Sequence, residues 1–164
     1  MKKFILYVVI GLSLMACQEK KEKCIFCPLK VGSVIATVKD NQIKWEMDEK
    51  IKKGNAIQLA IQVQKAVPQF SLSDTLIYSK SEIVNENGNY YWVSYFSLGK
   101  EKSFTLSVDL EKKNDQLLIA SKPIEGCIGN HCSSCKLTKG KGCSCSGSGN
   151  CDHIVVELPL LFPF

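Results

Sequence analysis

The residues with the most versatile chemistry in this chain lie near its carboxyl end. Residues 127–153, CIGNHCSSCKLTKGKGCSCSGSGNCDH, include six cysteines and two histidines. Thiolates and imidazoles bind zinc and copper, reactive thiols exchange disulfides, and paired cysteines cross-link a fold. These three uses need different redox conditions. The compartment in which the protein resides therefore decides among them.

The amino terminus predicts export from the cytoplasm. Two lysines precede an apolar stretch at residues 4–16, which is shorter than the roughly 20 residues that a membrane-spanning helix needs. A basic start, a short apolar core and a small residue are typical of a secretory signal. The stretch ends in LMAC at residues 14–17, which resembles the lipobox of bacterial lipoproteins. The resemblance implies a signal peptide at residues 1–16, cleavage before Cys17 and palmitate or a similar acyl chain on Cys17.

The same resemblance implies a subcellular location and a lipid anchor. The protein is expected in the cell envelope, held by lipid at a bacterial membrane, the outer membrane rather than the inner. Residues 17–30 then form a lipidated tether, since their charged run QEKKEK contains no residue that packs in a core. The expected partners are the lipid bilayer, through the acylated Cys17, and a protein or small molecule whose identity the sequence does not specify.

The composition argues against nucleic acid as a partner. The formal net charge is +5, from 21 basic and 16 acidic residues, and every basic residue is a lysine. Proteins that read nucleic acids rely on the arginine guanidinium for guanine edges and phosphates. The lysines also alternate with acidic residues, which is the pattern of a solvated surface.

Residues 31–122 predict an α+β domain in which one helix packs on an antiparallel β-meander. Alternating apolar residues and turn signals predict strands at residues 33–39, 42–46, 74–85, 90–98, 103–111 and 116–121. The helix is predicted at residues 56–67, with Asn55 as N-cap and Pro68 as the stop, or from nearer Asp48 with an interruption at Gly54. This order resembles the cystatin-like and PepSY-like folds of envelope proteins.

Two further expectations concern the faces of this sheet. Residues 103–111 alternate strictly, so one face is expected to be buried and the other, which carries Ser103, Thr105, Ser107 and Asp109, to be wet. Residues 90–98 carry aromatic side chains on both faces, which predicts a central strand. We expect Trp92 and the tyrosines to be core residues rather than the lining of a ligand groove.

Residues 123–164 predict a cysteine-rich, irregular C-terminal module. Residues 126–153 are rich in glycine and serine, so cross-links must replace a hydrophobic core there. With Cys17 lipidated, an even number of cysteines remains, and an oxidising envelope favours disulfides. The disulfide candidates are Cys24, Cys27, Cys127, Cys132, Cys135, Cys143, Cys145 and Cys151. This block loosely resembles the tails of small lipoproteins of Bacteroidota-type bacteria, a resemblance that implies a class and no activity.

A metal site is the first alternative for the tail. Zinc or copper binds soft ligands at short spacings, provided that the thiols stay reduced after export. The candidate ligands are Cys132, Cys135, Cys143, Cys145, Cys151, His153 and His131. The first three cysteines of the tail also have the spacing of a plant-type ferredoxin loop, but secretion of an unfolded chain and the missing fold context disfavour an iron–sulfur cluster.

A thiol–disulfide oxidoreductase is the second alternative. The pairs Cys24–Cys27 and Cys132–Cys135 have dithiol spacing, although neither lies in the strand–helix context that lowers a thiol pKa. No catalytic constellation is evident elsewhere. The sequence therefore predicts a non-enzymatic binding or structural module without a cofactor, with zinc or copper binding as the alternative.

Overall fold

A computed structural model describes residues 29–67, 75–99, 102–132 and 134–157. The predicted signal peptide, the predicted lipidation site Cys17 and the cysteines of the predicted tether, Cys24 and Cys27, lie outside the described residues. The predicted helix stop at Pro68 lies outside them as well.

The described chain begins with a β-hairpin and a helix. Strands β1 (Val34–Lys39) and β2 (Gln42–Trp45) pair antiparallel around a turn at Asp40 and Asn41, both at positive φ. Helix α1 then runs from Glu49 to Ala66. Its N-cap is Asp48, whose side chain accepts a hydrogen bond of 2.8 Å from the Ile51 backbone N–H.

The predicted N-cap at Asn55 is therefore wrong, whereas the alternative start near Asp48 is confirmed. The helix starts earlier and passes through Gly54 without interruption. A glycine inside a helix costs only about 1 kcal/mol, and tertiary packing outweighs such a cost. Asn55 is instead a buried residue of the helix whose amide donates to the Met47 sulfur at 3.7 Å.

Eight more strands follow the helix: six belong to the main sheet and two form a separate hairpin. They are β3 (Leu76–Glu86), β4 (Asn89–Leu98), β5 (Lys102–Lys113), β6 (Gln116–Ile119), β7 (Ile124–Asn130), β8 (Ser134–Thr138), β9 (Gly142–Ser146) and β10 (Asn150–Val156). The turn between β3 and β4 has Asn87 and Gly88 at positive φ, as the Asn-Gly signal predicts.

Strand β5 organises the main sheet. One of its edges pairs with β4 along residues 102–110. Its other edge is shared: residues 102–107 pair with β7, and residues 110–113 pair with β6. Strand β10 extends the sheet beyond β7, and β1 and β2 extend it beyond β6. The predicted fold class, α+β with one helix and an antiparallel sheet, is confirmed.

The tail is more regular than its composition predicts. Strands β7 and β10 pair with each other and join the main sheet through β5. Strands β8 and β9 form a two-stranded hairpin between them. Because Ile124, Ile128, Ile154 and Val156 point into the main core, these strands are tied to the rest of the protein by apolar burial as well as by sulfur.

One face of the sheet carries the hydrophobic core. Trp92 and Phe104 are 1% and 0% exposed, and Trp92 meets Trp45 edge to face with ring centroids 5.9 Å apart. Leu59 and Val63 of α1 belong to the same buried cluster. The expectation that Trp92 is a core residue is confirmed.

The opposite face, which the sequence predicts to be wet, is covered. Thr105 and Ser107 are each 3% exposed and Asp109 is 8% exposed. The β8–β9 hairpin lies against this face, and Thr105 donates a hydrogen bond of 3.0 Å to the Cys135 carbonyl. The prediction of a wet face is wrong at these positions, because alternation shows that a face is polar but not whether another segment covers it.

Candidate functional site

Four cysteines meet where the hairpin rests on the sheet. Each of the last four strands supplies one of them: Cys127 from β7, Cys135 from β8, Cys143 from β9 and Cys151 from β10. Their four sulfur atoms lie within 4.8 Å of one another. Cys127 and Cys135 are buried, whereas Cys143 and Cys151 are partly exposed. We call this group the four-cysteine centre.

Strand register explains how residues so far apart in sequence meet. In the main sheet, Cys127 pairs with Thr105 on one side and His153 on the other, and Cys151 lies one pleat further along the same face. In the hairpin, Cys135 lies opposite Cys145, and Cys143 is two residues from Cys145 and so shares its face. That hairpin face is turned toward the sheet.

Two disulfides fasten the hairpin. Cys127 bonds to Cys135, with Cα atoms 6.3 Å apart, and Cys132 bonds to Cys145, with Cα atoms 5.5 Å apart. Both Cα separations are ordinary for disulfides. The prediction of disulfide bonds in the tail is confirmed for these four cysteines. The dithiol spacing of Cys132 and Cys135 does not produce a bond between them, since the two residues belong to different disulfides.

Cys143 and Cys151 are free thiols in contact with each other. Burial, followed by a hydrogen bond with Cys151 and the charges of Cys151 and Asp152, raises the pKa of Cys143 to about 12. Cys143 is therefore protonated at neutral pH.

The cysteines among the predicted metal ligands divide into two groups. Cys135, Cys143 and Cys151 lie in the four-cysteine centre, while Cys132 and Cys145 are bonded to each other outside it. The sequence-based ligand set omits Cys127, which is the most deeply buried member of the centre. The pairing of β7 with β5 and β10 brings Cys127 into the four-cysteine centre. The spacing of cysteines along the chain does not predict this pairing.

The two histidines are not members of the centre. His153 lies beside it, with Nε2 3.0 Å from a carboxylate oxygen of Glu125. His131 is exposed, at a positive φ of 54° in the segment after β7.

A partly buried ion cluster holds the hairpin turn against the sheet. Lys139 Nζ lies 2.6 Å from Asp109 Oδ2 and 3.1 Å from Glu125 Oε1. Glu125 also accepts a hydrogen bond of 3.2 Å from the Gly140 backbone N–H. Burial alone would raise the pKa of Glu125, but Gly140, Lys139 and His153 together hold it below its usual range. We call these contacts the Lys139 cluster; sequence analysis did not anticipate it.

A cleft of about 280 Å³ opens next to the Lys139 cluster, between β8 and the covered face of the sheet. Its floor is mostly aromatic and apolar but includes Thr105 and Ser107 of β5, and its wall, which includes Cys135, comes from the hairpin. The principal lining residues are Val84, Tyr91, Val93, Tyr95, Lys136 and Leu137. Tyr95 is fixed by a hydrogen bond of 2.8 Å from its hydroxyl to Glu82. Burial, followed by this bond and the Glu82 charge, raises the pKa of Tyr95 to about 12.

Strand β4 therefore serves two surfaces. Trp92 and Phe96 point into the core, whereas Tyr91 and Tyr95 point into the cleft. The expectation that all tyrosines of this strand are core residues is wrong for these two, because the face that they occupy is covered by the hairpin and not by α1.

Searches with this chain match no family model, no curated protein and no solved structure. Across the ranges that the structure describes, no helix combines the length and the apolar character that crossing a bilayer requires. The function must therefore be argued from the centre and the cleft themselves.

Proposed function

We propose that this chain is a lipid-anchored protein of the bacterial cell envelope that acts as a non-enzymatic binding module. The observation that carries the binding role is the cleft between the fastened hairpin and the covered face of the sheet. Its size and its apolar, aromatic floor suit a small ligand with an aromatic or apolar body.

The way the hairpin is held supports this proposal. The Cys127–Cys135 and Cys132–Cys145 disulfides attach the hairpin to β7 and to the segment after it. The Lys139 cluster attaches the turn of the hairpin to β5 and β7. A wall that is secured at both places keeps the cleft open before a ligand arrives, and preorganisation of this kind lowers the entropy cost of binding.

The cleft predicts binding of 8-anilino-1-naphthalenesulfonate, an anionic aromatic probe. The aromatic rings suit the floor, and the sulfonate suits the exposed ammonium group of Lys136 at the wall. We expect one probe per folded chain. A Val93→Glu change places a negative charge in the floor, which repels the sulfonate and disfavours burial of the rings, and it should weaken binding about tenfold or more, an energy of about 1.4 kcal/mol.

The matched control for this experiment is Ile77→Glu. Ile77 is a 53% exposed residue of β3 that does not line the cleft, so this variant should bind the probe as the native chain does. Fluorescence titration measures both affinities, and circular dichroism verifies that each variant folds. Equal affinities for the two variants would show that the probe binds elsewhere and would contradict the binding role of the cleft.

The lipid anchor is tested separately on the full chain in a bacterial host. Labelled palmitate should enter the native protein, which should then fractionate with membranes. A Cys17→Ser variant should take up no label, since the serine hydroxyl is not the thiol that accepts lipid. Unlabelled native protein in the cytosolic fraction would refute the anchor and leave the result for the cleft unaffected.

A further inference from the structure

We propose that the four-cysteine centre binds one zinc ion through the four thiolates of Cys127, Cys135, Cys143 and Cys151 once the Cys127–Cys135 disulfide has been reduced. This site adjoins the cleft, which Cys135 also lines, and goes beyond the binding role proposed above. Its ligand set also differs from the one that spacing alone suggests, since it includes Cys127 and excludes Cys132, Cys145 and both histidines.

The positions of the sulfur atoms carry the inference. In a tetrahedral site each sulfur lies about 2.3 Å from zinc, which places the sulfurs about 3.8 Å from one another. The four sulfurs of the centre already lie within 4.8 Å of one another. Reduction breaks the bond between Cys127 and Cys135 and frees their sulfurs to move apart to the separation that zinc requires. Small side-chain rotations then suffice, with the strands unchanged.

The scaffold suits a closed structural site. Each ligand stands on a different strand, two in the main sheet and two in the hairpin, so the metal would join the hairpin to the sheet in place of the disulfide. The Thr105 hydroxyl fixes the backbone of Cys135 from the sheet side. Cys127 and Cys135 close the inner side, and the partly exposed Cys143 and Cys151 give the ion access from solvent.

The type of ligand selects the metal. A set of four sulfurs without a carboxylate excludes the hard cations calcium and magnesium, which prefer oxygen. Four sulfurs in a tetrahedral arrangement are the geometry of structural zinc sites and of iron–sulfur sites; zinc needs only the four thiolates, whereas an iron–sulfur cluster also needs inorganic sulfide.

The redox step has a simple balance. A dithiol reductant delivers two electrons and two protons to the Cys127–Cys135 disulfide, which becomes two thiols while the reductant becomes a disulfide. Together with Cys143 and Cys151, the centre then holds four thiols. Zinc displaces one proton from each, and the four protons pass to solvent. With the disulfide intact, only two of the four sulfurs are available to a metal.

Cobalt(II) and zinc(II) titrations test the site on the folded domain. The protein is reduced with dithiothreitol, freed of the reductant without oxygen, and titrated with Co²⁺. We expect one Co²⁺ per chain with the visible absorption and thiolate charge-transfer bands of a tetrahedral tetrathiolate, displaced by one Zn²⁺. The oxidised protein should show neither band. Absence of these bands in the reduced, folded protein would overturn the proposal.

Serine variants identify the ligands. Cys143→Ser and Cys151→Ser leave both disulfides of the structure intact before reduction and should each weaken Zn²⁺ binding about 100-fold. The matched control is the double variant Cys132→Ser/Cys145→Ser, which removes two cysteines outside the centre and should retain full affinity. Circular dichroism verifies the fold of every variant. Loss of binding in the control, or full affinity in the two single variants, would contradict the proposed ligand set.

Discussion

Replacing Phe104 by alanine is expected to lower the free energy of unfolding by about 3–5 kcal/mol. Phe104 is fully buried, and its ring stacks on Phe96 with centroids 5.6 Å apart. It also fills the space above Gly126, where an added Cβ would come within 3.1 Å of the ring. The truncation therefore removes contacts from two strands that flank β5 and leaves a cavity that the sheet cannot close by collapsing.

Urea unfolding of the oxidised protein measures this effect. The control is Ile77→Ala, which removes half as many carbon atoms, from a side chain that is 53% exposed, and should change the unfolding free energy by less than about 0.5 kcal/mol. If Phe104→Ala lowered stability by no more than this control does, the assignment of β5 to the centre of the core would be wrong.

Replacing Lys139 by methionine is expected to cost about 2–3 kcal/mol at pH 7. The substitution keeps the bulk of the side chain but leaves the carboxylates of Asp109 and Glu125, 10% and 13% exposed, without their shared cation. This loss of stability is smaller than the loss for a fully buried ion pair, because Gly140 and His153 still contact the Glu125 carboxylate. In addition, Lys122 Nζ lies 3.8 Å from Asp109 Oδ1.

The pH dependence gives this prediction a specific signature. The pKa of Glu125 is held below its usual value of 4.5, so its contribution to stability is present above that pH and is lost as the pH falls through its pKa in the folded state. Protonation also removes the charge that the variant leaves unpaired. The stability difference between native protein and Lys139→Met should therefore narrow below about pH 4.5.

The matched control is Lys136→Met, three residues away on the same hairpin, where the lysine is exposed. It should change the unfolding free energy by less than about 0.5 kcal/mol at any pH. Equal effects of the two substitutions in urea unfolding at pH 7 and pH 4 would mean that the Lys139 cluster contributes nothing to holding the hairpin.

Local sequence predicts most of the strands of this fold, but it does not predict which faces of the sheet are covered. The strands predicted up to residue 121 agree with the structure to within a few residues, because the Asn-Gly turn and the strict alternation of β5 are local signals. The covered face escaped prediction, because its burial depends on a hairpin that begins more than twenty residues after the strand it covers. Polar alternation is the same on a solvated face and on a face hidden under a polar hairpin.

The centre shows a similar limit. Composition and the predicted compartment indicate that the tail must be cross-linked, and the disulfides of Cys127, Cys132, Cys135 and Cys145 agree with that prediction. Which sulfurs meet depends on the register of β7 against β5 and β10, and no property of the individual residues encodes that register. The Lys139 cluster escaped notice for the same reason: its partners lie on two strands that pair only after the chain has folded.

The shared edge of β5 has a mechanical consequence. A pull on the chain ahead of β1 passes into the hydrogen bonds between β1 and β6, and from β6 into residues 110–113 of β5. The four-cysteine centre is attached instead to residues 102–107 of the same strand through β7. Force that separates β1, β2 and β6 from β5 would therefore not act on β7 and β10. A protein pulled from its amino-terminal side would unfold first at β1 and β6, with the β8–β9 hairpin still in place.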